Sequence, residues 1–185
     1  MAHLKQNERS KEISEDQPEL YSLLRKCIDD EMISYVAQIA AEVVRCDLDS
    51  TPFSTKQTKD IPPLPHLRAF ITHLVMQSNI STPTFLTSLV YLARIKSQLP
   101  PGTIGFRCTC HRIFLVSLIL ADKYVNDVNY TNSFWAESSI MNWAGYYFGF
   151  LTSEITAAEG QLLSLLEYNV RITQDDLQER LLPLI

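Results

Sequence analysis

A chain of 185 residues with 46% apolar content and a formal net charge of −5 is long enough for one domain with a substantial core. That charge, with Lys and Arg scattered and no basic run, excludes a general nucleic-acid binder, whose footprint is a basic patch. The longest apolar stretch, Ile113 to Ala121, falls well short of the ~18 residues that span a bilayer, and the polar opening MAHLKQNERSKEISED lacks the apolar run of a signal peptide. A soluble intracellular protein with no membrane partner is expected. The cysteines (Cys27, Cys46, Cys108, Cys110) show no disulfide-framework spacing and fit a reducing compartment.

Residues 1–17 read as a charged, polar tail. From Pro18, suited to a first helical turn, Leu20, Leu24, Ile28, Met32, Val36, Ile39 and Val43 recur at helical spacing, which predicts one amphipathic helix over 18–46. Residues 47–61 are Ser/Thr/Pro-rich without periodicity and read as an exposed linker. A block of helices over 62–185 follows. Leu67, Phe70, Ile71, Leu74 and Val75 form one apolar stripe. Thr82 as N-cap and Pro83 in the first turn open a second helix, carrying Leu86, Leu89, Val90, Ala93 and Leu99 and ending at Pro100-Pro101-Gly102. A third, from about Arg107 to Asn126, is apolar on almost every side, the mark of a central helix.

A short fourth helix begins near Asn132 or Ser133, both competent caps. Thr152 caps a fifth, with Glu154 in its first turn and a core stripe of Ile155, Ala158, Leu162, Leu165 and Leu166. Thr173 opens a small last helix. No strand signal competes, and five glycines leave little material for sheet turns. The expected class is all-α: a compact bundle around the third helix, with an N-terminal amphipathic helix and a short C-terminal one.

Little here suggests catalysis. Cys108-Thr-Cys110-His111 has the look of a metal cluster, but no second ligand pair matches it, and it reads as small apolar packing where a helix enters the core. There is no G-x-S-x-G turn and no phosphate-binding glycine loop. No metal, cofactor or enzymatic activity is expected. Asp122 and Lys123, at the exit of the central helix, read as a solvated helix end or as a binding position, and Glu159 as an exposed helix carboxylate. The aromatic run WAGYYFGF, Trp143 to Phe150, fills core or forms a sticky surface, and both readings stand. Thr51-Pro52 is the minimal site of a proline-directed kinase, and Thr51 is a candidate phosphosite marking the protein for turnover.

Five segments in fixed order carry a family resemblance: PHLRAFITHLV, STPTFLTSLVYLARIKSQLP, HRIFLVSLILADKYVND, NYTNSFWAE and EGQLLSLLEYNV. Together they resemble the cyclin box, in particular the PCL branch of fungal cyclins, partners of the phosphate-pathway cyclin-dependent kinase, over roughly 62–182. The resemblance implies a single five-helix box and a regulatory subunit, present in nucleus and cytoplasm, that binds and activates a cyclin-dependent protein kinase and helps direct it to protein substrates in cell-cycle or nutrient control. It assigns Lys123 and Glu159 to bonds with kinase backbone, and Leu120, Tyr124, Leu163, Tyr168 and Val170 to an apolar groove accepting a side chain of the kinase's regulatory helix. The alternative, a transcription-type cyclin-fold adaptor, ordinarily carries a basic DNA-facing surface that the charge here disfavours; no direct nucleic-acid contact is expected. Three departures stand out. Arg68 lacks its usual acidic partner because Ala93 holds that place. Gly160 weakens the fifth helix by about 1 kcal/mol relative to Ala. The connection 138–151 is longer than usual.

Overall fold

The computed structural model describes residues 18–47 and 62–185. The polar tail, most of the linker and Thr51 lie outside the described residues. The elements in chain order are α1 (Pro18–Arg25), α2 (Asp30–Ala41), β1 (Arg45–Asp47), α3 (Leu67–Ser78), α4 (Thr82–Gln98), β2 (Ile104–Phe106), α5 (Thr109–Val125), α6 (Asn132–Ser139), β3 (Met141–Trp143), β4 (Tyr146–Phe148), α7 (Thr152–Leu165) and α8 (Gln174–Leu181), then a 3-10 turn at Leu182–Leu184.

The bundle is built around α5, buried at nearly every position from Cys110 to Asp122. It is not alone in the centre. The most extensive helix pair is α4 with α5, and α4 is buried from Thr82 through Leu92, with only Pro83 left half-exposed. Its Thr84, Thr87 and Ser88 are small buried residues, and Ser88 returns its hydroxyl to Phe85 O at 2.6 Å, so that hydroxyl is not stranded. Around this pair α2 packs on α3, α4 and α5; α7 packs on α5; α6 bridges α3 and α7; α8 closes on α4.

The amphipathic stripe over 18–46 belongs to the same core, with Leu20, Leu23, Met32, Ile33, Val36 and Ala40 buried. Its helix is not continuous as expected. It stops after Arg25 and restarts at Asp30, with Asp29 as N-cap accepting from Met32 N at 2.9 Å. An aspartate competes with helical backbone in an interior but stabilises an N-terminus. The freed Lys26 carbonyl accepts the hydroxyl of Thr82. That use of Thr82 shifts the cap of α4 to Ser81, whose Oγ accepts from Thr84 N. Two other caps lie earlier than expected: α6 begins at Asn132 as expected but is capped by Thr131, and α7 is capped by Leu151, whose N–H is met by Glu154 Oε2 at 2.9 Å. The last helix begins as expected, Thr173 and Asp176 satisfying each other's backbone N–H.

Among the described residues, four short strands were not foreseen. β1 and β2 pair in parallel, Cys46 opposite Gly105. β3 and β4 form an antiparallel hairpin through Ala144 and Gly145, both at positive φ, as a two-residue turn of primed type requires. The hairpin divides the aromatic run. Phe148 packs edge-on against Phe70 and His111, Phe150 is buried against Phe70, and Trp143 meets His66. Tyr147, paired across the hairpin with Asn142, is 82% exposed. The run therefore fills core on one face and lies open on the other. Arg68 does find a partner: Asp30 on α2 at 2.9 Å, with Ser34 beside it at 3.1 Å. Among the described residues no helix is long and apolar enough to cross a membrane.

Candidate functional site

Lys123 lies in the last turn of α5, where a cation favours the negative end of the helix dipole. Glu159 lies midway along α7. The packing of α7 on α5 brings the two together, Nζ to Oε1 at 2.5 Å. Lys123 keeps 34% of its side chain exposed and Glu159 only 12%. A third residue, which the sequence offered only as a helix cap, completes the cluster. Asn132, at the first position of α6, accepts from Lys123 Nζ at 3.2 Å and donates to Glu159 Oε2 at 2.8 Å and to Thr156 Oγ1 at 3.2 Å.

The neighbouring Asp122 is not part of a solvated helix end. It is 2% exposed, with one carboxylate oxygen accepting from Asn126 Nδ2 at 2.8 Å and the other from Tyr130 N at 2.9 Å. A buried carboxylate is tolerated only when its lone pairs are met in this way. The result is a fixed loop after α5, pinned again by the Tyr130 hydroxyl on Ser78 O and by the stacking of Tyr130 on Phe134 at 3.9 Å.

The apolar residues assigned to the groove are graded in exposure. Leu120 is 5% exposed and belongs to the core. Leu163 and Val170 are half-buried against it. Tyr124 is 43% exposed and Tyr168 70%. Tyr124 also holds the segment after α7 in place: its hydroxyl donates to Ile172 O and accepts from Ile172 N, both at 3.1 Å. From the other side Tyr91 donates to Val170 O at 2.8 Å, and Arg94 reaches Asn169 O and Arg171 O. Helix α7 ends in a Schellman motif, Tyr168 N bonding Leu163 O and Glu167 N bonding Ser164 O. The left-handed residues there are Glu167 and Tyr168 rather than glycine. That geometry costs an L-residue about 1 kcal/mol or more, and Tyr168 stands exposed at the end of the helix.

The Cys108–His111 stretch is structural. Cys110 Sγ lies 3.3 Å from Cys46 Sγ, and burial first, then the neighbouring thiol, pushes the Cys110 thiol up to about 12. His111 Nε2 is 2.9 Å from Pro65 O, and since a carbonyl only accepts, Nε2 carries the proton. Among the described residues no group of three or more His, Cys, Asp or Glu could hold a metal.

The class follows from the sequence match: the cyclin family model matches residues 6–142, and the chain, an all-helical bundle about two buried helices, belongs to the cyclin family. Its relatives include PHO85 cyclin-1 of Saccharomyces cerevisiae, 37% identical over 167 residues, covering 90% of this chain and 57% of that protein. PHO85 cyclin-2 of the same yeast is 36% identical, covering 87% of this chain and 48% of its own, and PHO85 cyclin-9 is 35% identical, covering 90% and 50%. The chain thus spans about half the length of the curated relatives it matches.

Proposed function

We propose that this chain is the regulatory cyclin of a cyclin-dependent protein kinase of the PHO85 type, and that it has no catalytic activity of its own. The observation that carries the reading is the Lys123–Glu159 pair at the junction of α5 and α7, with the exposed Tyr124 next in sequence to Lys123, on a chain whose relatives are named as PHO85 cyclins. The pair meets the exposed backbone of the kinase's regulatory helix: the ammonium donates to carbonyls and the carboxylate accepts from N–H groups. Leu120, Leu163 and Val170 floor the groove that receives an apolar side chain of that helix, a helix-in-groove mode. Docking holds the kinase helix in the orientation that completes the kinase's own Lys–Glu ion pair. The cyclin thereby shifts its partner's population toward the active state and presents it to protein substrates.

The transcription-type adaptor finds no support in the relatives or in a net charge of −5. The test is activation. Purified chain titrated into an inactive, monomeric kinase of this type is expected to raise peptide phosphorylation saturably, with a stoichiometric complex on gel filtration. No complex and no rise in rate would overturn the reading. The complex is expected in nucleus and cytoplasm; imaging of a tagged chain confined to a membrane compartment would contradict that.

A further inference from the structure

We infer that Asn132 is a positioning residue for kinase binding: it fixes the Lys123 ammonium and the Glu159 carboxylate relative to one another and so sets which donors and acceptors face the partner. The inference rests on the reading above that this pair contacts kinase backbone. Asn132 is the one side chain among the described residues that bonds both members of the pair. Its orientation is dictated by chemistry. Lysine only donates and a carboxylate only accepts, so Oδ1 must face Lys123 and Nδ2 must face Glu159. Both amide hydrogens are used, the second on Thr156 Oγ1 one helical turn before Glu159. The amide is carried by a rigid element, since α6 is capped by Thr131 and packs on both α3 and α7.

The arrangement leaves spare capacity. Two of the three ammonium donors are engaged, by Asn132 and Glu159, and one remains. Each carboxylate oxygen of Glu159 accepts one bond and keeps a lone pair. The cluster can therefore accept a backbone carbonyl and N–H groups without first breaking apart. Remove Asn132 and the partly exposed lysine regains its rotamers, while Glu159 loses its shortest tie to α6.

The experiment is a mutant cycle on affinity for the purified kinase, comparing wild type, Asn132→Ala, Glu159→Ala and the two combined, with thermal melting of each free chain. Asn132→Ala is expected to weaken binding about five- to tenfold in the wild-type background and less than about twofold in the Glu159→Ala background. Equal losses in the two backgrounds would mean that Asn132 acts through the packing of α6, and would overturn the inference, as would an Asn132→Ala chain that binds like wild type. Should Asn132→Ala lower the melting temperature enough to obscure binding, Asn132→Asp replaces it. That variant keeps size and the lysine acceptor but sets a carboxylate against Glu159, and the same collapse of its effect in the Glu159→Ala background is required. If Glu159→Ala itself binds like wild type, the kinase-binding reading fails, and the inference fails with it.

Discussion

An ion pair at a protein surface ordinarily adds 0–1 kcal/mol of stability, because solvent screens it and two long side chains must be ordered. Lys123, a third exposed, falls close to that regime, while Glu159 is only 12% exposed; replacing both together leaves neither charge without its partner, so the double variant should leave the fold standing. Tyr124 has a different duty. Its hydroxyl exchanges two bonds with the backbone of Ile172, and its ring forms part of the exposed strip. Tyr124→Phe keeps the ring and is expected to cost about 1 kcal/mol of stability in urea unfolding. It should also raise hydrogen exchange at the amide of residue 172. Unchanged exchange there would show that the tether is not formed in solution. At this scale the resemblance named Lys123 and Glu159 separately, and the structure brings the two side chains into contact. The sequence was silent on Asn132 and misleading on Asp122. Both depend on where the loop after α5 returns, which a one-dimensional pattern does not contain: Asp122 is buried because Asn126 and Tyr130 fold back onto it.

Helix α7 combines two local weaknesses beside the site. Gly160 stands on its exposed face, and a Cβ built there meets nothing within 4 Å. Gly160→Ala should therefore stabilise the chain by about 1 kcal/mol, the helix-propensity difference, and raise the melting temperature by roughly 2–4 °C. No rise would mean that the helix is strained there for another reason. The end of the helix is held in left-handed geometry by residues that dislike it, Glu167 and Tyr168, and that is the turn which exposes Tyr168. Element existence was readable from periodicity for all the long helices. The break after Arg25 was not, because Leu24 and Ile28 keep the helical spacing across it while Asp29 supplies a cap. The β3–β4 hairpin escaped because its turn is Ala-Gly rather than Asn-Gly, and its aromatic strands read equally as core filler.

Across the whole molecule, the paired N-terminal helices and the hairpin join one core with the bundle. His111 sits within that core, and burial holds its imidazole down at about 4. Between pH ~6.5 and about 4 the unfolded chain takes up a proton that the folded chain refuses. Stability contributed by this group is present above that window and falls through it by up to roughly 3 kcal/mol. Urea unfolding at neutral and mildly acid pH should show that loss, and His111→Gln should flatten it; an equal loss in the variant would assign it to other groups. The net charge of −5 and the all-α pattern were readable at once, and family membership followed from five short segments. The folding of the N-terminal stripe onto α3, α4 and α5 was not, since an amphipathic face does not name what covers it.

The central claim is that the α5–α7 junction is where a kinase docks, and it is tested most directly by calorimetric titration of the monomeric kinase with wild-type chain and with Lys123→Ala/Glu159→Ala. Saturable one-to-one binding is expected of the wild type. The variant should lose at least about 30-fold in Kd, corresponding to the ~2 kcal/mol of a hot-spot anchor, with melting temperatures that agree closely. A folded double variant that binds with wild-type affinity would contradict the claim.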